Sequence, residues 1–508
     1  MLITIRQVTR YAVLGFIFLA SSTACTYAEK EDAQIVLGTF TVDAGDYDRM
    51  NTPIRFQCSP PDIFGDLSKF RRPGHYHFID DGAELGLLRD YHLTLVEQGG
   101  DGGRSAVQWS GKADFAWEMA SQKGALIWIL KGKTPKNSSR SFKLVLEKGP
   151  VYTGAFSVED VENKSLLVKK DGRSVLQYNY GIIQQTEGKT GPYDRGSYIH
   201  PVWTPSGKVI TGDFSPEHIH QRGIFFAWTK AIFGEVETEF WGLGESEGRI
   251  LADDFGPSII EGPVFTSLVI CNKGVVSGKT YFKEIWVVRL YALDEEGMWL
   301  FDVYVRQVPT NPEKPDKILR LDAITAPTPL PSEVQKPQEP SEDAILMVLP
   351  KVYYGGMSFR GTSKWLGADS RDVARAIARG VEFKDAKWLS PDVSLDVLTD
   401  AGWNRKSGDR NPTRWIDYTG PLGDDWGGLV MIDHPSNPRY PTPLRVHPDL
   451  PYFCYAFTQN QPYTISSNDP LNLVYRFLIH NGHPKQEINE RFARDFTEPP
   501  KVSWRRLK

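Results

Sequence analysis

The stretch "YFKEIWVVRLYAL", Tyr281–Leu293, with its successor "WLFDVYVRQV", Trp299–Val308, decides the fold. Both are rich in β-branched and aromatic residues, and their apolar side chains occupy neighbouring as well as alternate positions. That pattern is expected of strands buried on both faces, between layers of a sandwich. Working outward, "SLLVKK", "SVLQYNYGII", "GIFFAW" and "SLVICNKG" precede them, and "AILMVLPKVYYGGMSFRG", "SLDVLT", "GGLVMID", "YFCYAF" and "NLVYRFLIH" follow. The strands return after an interruption, which favours one large sandwich assembled from both halves. We therefore expect an all-β protein with a large β-sandwich over residues 151–490.

Upstream, from Gln34 to Pro150, the runs "QIVLGTFTV", "IRFQC", "HYHFI", "YHLTLVE", "ALIWILKG" and "SFKLVLEKG" alternate with Gly, Pro, Asp and Asn. Short strands at this spacing read as a small N-terminal β-sandwich, an accessory domain over 34–150. Residues 309–342 are crowded with prolines and charges and read as an insert too polar to form a core. A helix is suggested only by "DSRDVARAIARG", residues 369–380.

The N-terminus carries Arg6 and Arg10, an apolar run from Tyr11 to Ala20 and then small residues. This is the layout of a signal peptide over 1–28, and the run is too short to span a bilayer of about 30 Å. The mature protein is expected to be exported, to the periplasm, the cell surface or the medium. "STAC", ending at Cys25, resembles a lipobox, so a lipid anchor at Cys25 is an alternative to cleavage after Ala28. No later segment has the apolar length of a transmembrane span.

A formal net charge of −4, from 59 basic and 63 acidic residues well mixed along the chain, provides no broad positive field, so nucleic acid is not an expected partner. Cys58, Cys271 and Cys454 lie far apart without a CxxC pair, and they read as buried thiols rather than a metal cluster.

The residues able to carry chemistry gather in a few places. "YIHPVWTPSGKVITGDFSPEHIHQRGIFFAW", Tyr198–Trp228, holds His200, His218 and His220, three of the chain's ten histidines. If "HIHQRGIFFAW" were extended, His218, His220 and Arg222 would share a face, and imidazoles beside a guanidinium can exchange protons and stabilise an oxyanion. The same H-x-H spacing suits a divalent metal, with His200 or His434 and Glu217 as further ligands. H-x-H alone arises often in exposed strands, so a metal is not favoured and no cofactor is assigned. A second group, after the strand ending at Ile432, presents Asp433, His434, Asn437, Arg439, Arg445 and His447 on a Pro-rich loop. "TRWIDYTG" adds Arg414, Trp415 and Asp417, and "VYRFLIHNG" adds Arg476 and His480. Trp203, Trp228, Trp241 and Trp415 stand near these motifs, and aromatic faces beside polar groups make a platform for sugars.

The His-rich stretch, together with "LVMIDHPSNPRYPTPLRV", "YRFLIHNG" and "AGDYDRMNTPIRF", resembles the motifs of the bacterial PmoA-like family over most of residues 36–485. Two positions depart from that pattern: Gln221 stands where the family has a second consecutive histidine, and Glu217 where it has Asp. The family name points to a methane mono-oxygenase membrane subunit, which a chain without membrane spans does not fit. Its members resemble exported proteins of polysaccharide-degrading bacteria. The resemblance implies a sandwich of the galactose-mutarotase type and a carbohydrate-processing enzyme, a glycoside hydrolase or polysaccharide lyase acting on a poly- or oligosaccharide.

In that reading His218, His220, His434 and Asp417 are the acid/base set. His200, Arg222, Arg439, Trp228, Trp241 and Trp415 bind the sugar. A non-catalytic glycan-binding surface protein and a metal-dependent oxidoreductase are the alternatives.

Overall fold

The computed structural model describes residues 34–64, 91–99, 102–110, 124–149, 154–313 except 187, 245 and 255, 340–367, 374, 377, 378 and 395–507. The signal segment, Cys25, the "HYHFI" run, most of the Pro-rich insert and nearly all of the helix expected over 369–380 lie outside these residues. Among the described residues no helix is long and apolar enough to cross a membrane.

The chain opens with β1 (Ile35–Asp43), β2 (Arg49–Cys58), a short helix α1 (Pro60–Phe64), β3 (Tyr91–Gln98), β4 (Arg104–Ser110), β5 (Gly124–Thr134) and β6 (Ser139–Lys148). These strands form one sheet in the order β2-β5-β4-β3-β6-β1, which folds over a core including Phe40, Leu95, Leu126, Trp128 and Leu144. β5 explains the unbroken apolar run "ALIWIL". Leu126, Trp128 and Leu130 face that core, while Ala125, Ile127 and Ile129 enter a second one.

Next come β7 (Ser157–Val161), β8 (Ser165–Lys170), β9 (Arg173–Asn179), β10 (Tyr198–Val202) and β11 (Ile224–Trp228). They are followed by β12 (Ala231–Phe233), β13 (Val236–Thr238), β14 (Gly248–Ala252), β15 (Ser258–Ile260), β16 (Phe265–Val276), β17 (Lys279–Tyr291) and β18 (Met298–Pro309). After the insert come β19 (Leu346–Leu349), β20 (Gly355–Arg360), β21 (Asp396–Thr399), β22 (Trp415–Leu422) and β23 (Asp425–Ile432). β24 (Leu444–Val446), β25 (Tyr452–Tyr455), β26 (Tyr463–Ser466) and β27 (Leu471–Asn481) complete this part.

An eight-stranded sheet, β24-β25-β20-β11-β10-β9-β8-β7, faces a nine-stranded one, β14-β16-β17-β18-β27-β23-β22-β21 with β15 beside β16. β12, β13, β19 and β26 make a small fourth sheet. Each large sheet joins a block of strands from before the insert to a block from after it, β20 beside β11 in one and β27 beside β18 in the other, so both halves build the sandwich.

β17 shows why the opening stretch is apolar throughout. Trp286, Val288 and Leu290 pack between the two large sheets, while Ile285, Val287 and Tyr291 pack on the opposite face of their own sheet. Each such side chain withdrawn from water contributes about 1.5–3 kcal/mol, so doubly buried strands are where the sandwich gains most. Polar members of the stretch find partners within the fold. Glu284 accepts from Gln307 Nε2 at 2.7 Å and Trp286 Nε1 at 2.8 Å, and Arg289 donates to Ser267 and Ser110, each at 3.0 Å.

The second core is closed by a helix that the sequence reading lacks, α2 (Gln486–Thr497). Phe492, Ala493 and Phe496 enter that core, and Arg49 holds the helix through Asp495 at 2.9 Å and the Glu498 carbonyl at 2.8 Å. The chain then pairs β28 (Lys501–Arg506) antiparallel with β1, so Gln34–Lys508 is one compact unit closed by its own ends.

Candidate functional site

Along β10, β11, β20 and β25, side chains alternate between the inter-sheet core and the outer face of the eight-stranded sheet. Ile199, Ile224, Phe226, Met357, Phe359, Phe453 and Tyr455 point inward. Tyr198, Phe225, Ala227, Tyr452 and Cys454 form an apolar floor on the outside, joined by Trp241, which meets Phe225, Tyr354 and Tyr452 at ring distances of 4.9, 5.2 and 5.8 Å.

His218 and His220 are not strand residues. Pro216 is followed by tight turns in which His218 N donates to the Ser215 carbonyl and Gln221 N to the His218 carbonyl, both at 3.0 Å, and β11 begins only at Ile224. Gly223 makes the junction possible. Its φ of +49° suits glycine, and a Cβ there would lie 2.1 Å from the Ile199 carbonyl oxygen on β10. The turns still bring the imidazoles together, with ring centroids 5.7 Å apart, and His447 stands 6.1 Å from His218. His447 Nδ1 accepts from the backbone N–H of Asp449 at 3.1 Å and of Leu450 at 3.0 Å, so in the neutral ring the proton sits on Nε2.

Three buried arginines underlie these histidines. Arg222 is fully buried and held by Asp213 at 3.1 Å, Tyr198 Oη at 3.0 Å and the Tyr193 carbonyl at 2.8 Å. Arg360, also fully buried, pairs with Glu217 and donates to Gln221 Oε1 at 3.1 Å. The two positions that depart from the PmoA-like pattern are thus the two partners of one arginine. Arg195 lies beside them and stacks on Phe225 at 5.1 Å.

His220 makes no hydrogen bond among the described residues. Burial, then the charges of Arg195 and Arg360, push its pKa down to about 4, so the ring is neutral at pH 7. His200, before a cis proline, bonds Thr211 Oγ1 through Nδ1 at 2.9 Å, and burial lowers its pKa too. Among the described residues no three His, Cys, Asp or Glu side chains form a group that could hold a metal ion.

The other residues singled out from sequence lie elsewhere. Ile416 and Tyr418 face the inter-sheet core, so Asp417 between them points to the far face of the nine-stranded sheet. There it is buried and bonded to Thr419, His480 and Asn489 of α2. His434 is on that side as well, edge-on to Phe496 at 4.8 Å, with its pKa pushed down to about 4 by burial. Two sheets and the core between them separate both residues from His218 and His220.

Arg439 is spent on loop carbonyls, those of Phe457, Gln461 and Pro462. Trp228 is sealed in the inter-sheet core and donates to Gln307 at 2.8 Å, and Trp415 is sealed under α2 and donates to Glu490 at 3.0 Å. Of the three tryptophans expected to bind sugar, Trp241 alone stands on the histidine face, and there it is buried in the floor, 3% exposed.

Beside Trp241 and Tyr354 runs a cleft of about 330 Å³ lined by Thr229, Lys230, Glu239 and Ser246, among others. Burial raises the Glu239 carboxyl, and Tyr354 keeps 39% of its surface exposed. The sequence reading missed Arg195, Arg360 and this cleft. An arginine at an outward position of a strand, as in "MSFRG", is the available signal for Arg360, but Arg195 belongs to no motif.

The fold and the site together define an all-β sandwich protein with a histidine and arginine cluster over the outer face of one sheet. The chain belongs to a family of unknown function, DUF6807, matched over residues 165–494. That match does not bear on the PmoA-like resemblance. No curated protein matches the chain. Among solved structures it is similar to an alpha-mannosidase from Enterococcus faecalis V583, at 9% identity and a TM-score of 0.31. The match covers 92% of this chain and 46% of the mannosidase chain, so this chain spans less than half the length of that protein.

Proposed function

We propose that the protein is an exported carbohydrate-processing enzyme whose reactive surface is the outer face of the eight-stranded sheet, with His220 as its proton carrier. One observation carries the reading: the imidazole of His220 is neutral, free of hydrogen bonds among the described residues and close to two buried guanidiniums. Such a ring can take a proton from a substrate whose developing negative charge the arginines stabilise. His218 and His447 are adjacent carriers for its return.

Sugar is the substrate class best suited to the surroundings. Tyr354 offers aromatic surface over the buried Trp241, beside a cleft lined by three carboxyls, Lys230 and hydroxyls, and an aromatic face next to polar groups suits a pyranose with apolar C–H faces and a polar rim. The PmoA-like resemblance to exported proteins of polysaccharide-degrading bacteria agrees with this class, and the sheet of β1–β6 is assigned an accessory role. Asp213 and Glu217, the carboxylates under the histidines, are each held by an arginine, which favours proton abstraction and elimination over hydrolysis by a carboxylate pair.

The test is incubation of the protein with a panel of plant and algal oligosaccharides, followed by mass spectrometry of the products. Cleavage without gain of water supports the favoured chemistry, and cleavage with gain of water makes it a hydrolase. Saturable binding without any mass change establishes a glycan-binding protein instead.

A further inference from the structure

On the histidine face one arginine lacks a contact ion pair. Arg222 has Asp213 and Arg360 has Glu217, but Arg195, only 3% exposed, has no carboxylate within ion-pair distance among the described residues. Its Nη1 is buried without a hydrogen-bond partner, and its Nε reaches only the Gly196 carbonyl, at 3.4 Å. Burial and then the neighbouring Arg222 draw its pKa down to about 10, against the longer-range pull of Glu284 and Asp213, so it remains a cation at pH 7. A buried guanidinium with no carboxylate in contact is costly, and such charges are normally paired directly. Arg360 Nε and Glu217 Oε2, beneath the same histidines, are also buried without partners.

We propose that Arg195 is the docking point for the carboxylate of an acidic sugar. The proposal rests on the reading of this face as a carbohydrate site and names the sugar's class. One carboxylate supplies the contact ion pair that Arg195 lacks, and a guanidinium presents parallel N–H donors that match its two oxygens. A neutral sugar would leave Arg195 without a contact ion pair.

Docking has a consequence for His220. The groups that face it are Arg195, Arg360 with its partner Glu217, and His218 with His447 behind it, while the Asp213–Arg222 pair flanks Arg195. An anion on Arg195 cancels part of the repulsion that keeps His220 unprotonated, and by linkage it makes the ring a stronger base. The acidic substrate therefore switches on the group that acts upon it.

The experiment follows the His220 ring resonance by NMR across pH in the full-length protein, assigned by its loss in His220→Asn, with galacturonate, galactose or galactose 6-sulfate added. The expected result is a rise of at least one pH unit in the His220 midpoint with galacturonate and none with galactose. Arg195→Gln should raise the midpoint without any ligand and abolish the response to galacturonate. A variant that only disturbed packing would not produce that pair of results. If it fails to fold, the wild-type titration decides alone.

Galacturonate and galactose acting alike would overturn the proposal, and a response to the sulfate ester alone would replace the carboxylate. Turnover of neutral glycans with no anion moving His220 would sink the inference while leaving the carbohydrate reading intact. A galacturonate response without turnover of any glycan would do the reverse.

Discussion

Asp417→Ala separates a structural carboxylate from a catalytic one. The Asp417 side chain is fully buried and accepts from Thr419 Oγ1 at 2.6 Å, His480 Nε2 at 3.2 Å and Asn489 Nδ2 at 2.7 Å. Its removal strips three buried polar groups of a partner, at about 1–3 kcal/mol each. With some relief from water entering the vacated space, the total is about 3–6 kcal/mol. A cooperative unit the size of Gln34–Lys508 shifts its Tm by about 1 °C per kcal/mol, so Tm should fall by about 3–6 °C.

The loss should also depend on pH. Burial opposes protonation of His480, but the charge and hydrogen bond of Asp417 outweigh it and hold the His480 pKa above its ordinary value of 6.5. A raised folded-state pKa contributes stability that is complete below about pH 6.5 and fades as pH rises through the higher value. The gap between wild type and variant should therefore narrow from pH 6 toward alkaline pH. Calorimetry at several pH values is the assay. An unchanged Tm with abolished turnover would refute this reasoning and make Asp417 a catalytic residue.

His434→Gln should flatten the acid side of the stability profile. The wild-type contribution from a neutral buried His434 is complete above pH 6.5 and lost as pH falls toward about 4, which urea midpoints across that window will register. Gly223→Ala should cost at least about 3 kcal/mol, because the left-handed φ and the 2.1 Å approach to the Ile199 carbonyl together push β11 off β10; soluble yield and thermal melting report it. Trp228→Phe should lose about 1 kcal/mol with its hydrogen bond to Gln307 and leave glycan affinity unchanged, checked by melting and calorimetric titration.

The strands were legible where burial on both faces placed apolar residues at neighbouring as well as alternate positions, as in β17, β18 and β27. α2 was missed although Ile488, Phe492 and Phe496 recur every four residues, because Asn489, Arg491, Arg494 and Asp495 make the segment read as polar. Two of those polar residues are in fact buried, Asn489 on Asp417 and Asp495 on Arg49.

The site was legible only in part. His218, His220 and Arg222 are neighbours in sequence, so their clustering in space could be anticipated. Asp417 and His434 were grouped with them because loops and strand ends often carry function, yet nothing in a doubly buried strand says which face a given residue takes. Trp228 and Trp415 were misjudged for the same reason. Arg195 and Arg360 come from separate parts of the chain, and only the pairing of β11 with β10 and β20 brings them under one loop.

The most direct test of the central claim compares turnover by His220→Ala and His434→Gln on whichever glycan the panel identifies, well below the melting temperature of either variant. If the reaction centre is the outer face of the eight-stranded sheet, His220→Ala should lose at least about 100-fold in kcat/KM, the usual scale of a lost proton carrier. His434→Gln should stay within a few-fold of wild type. The opposite pattern would move the chemistry to the far face of the nine-stranded sheet and contradict the account.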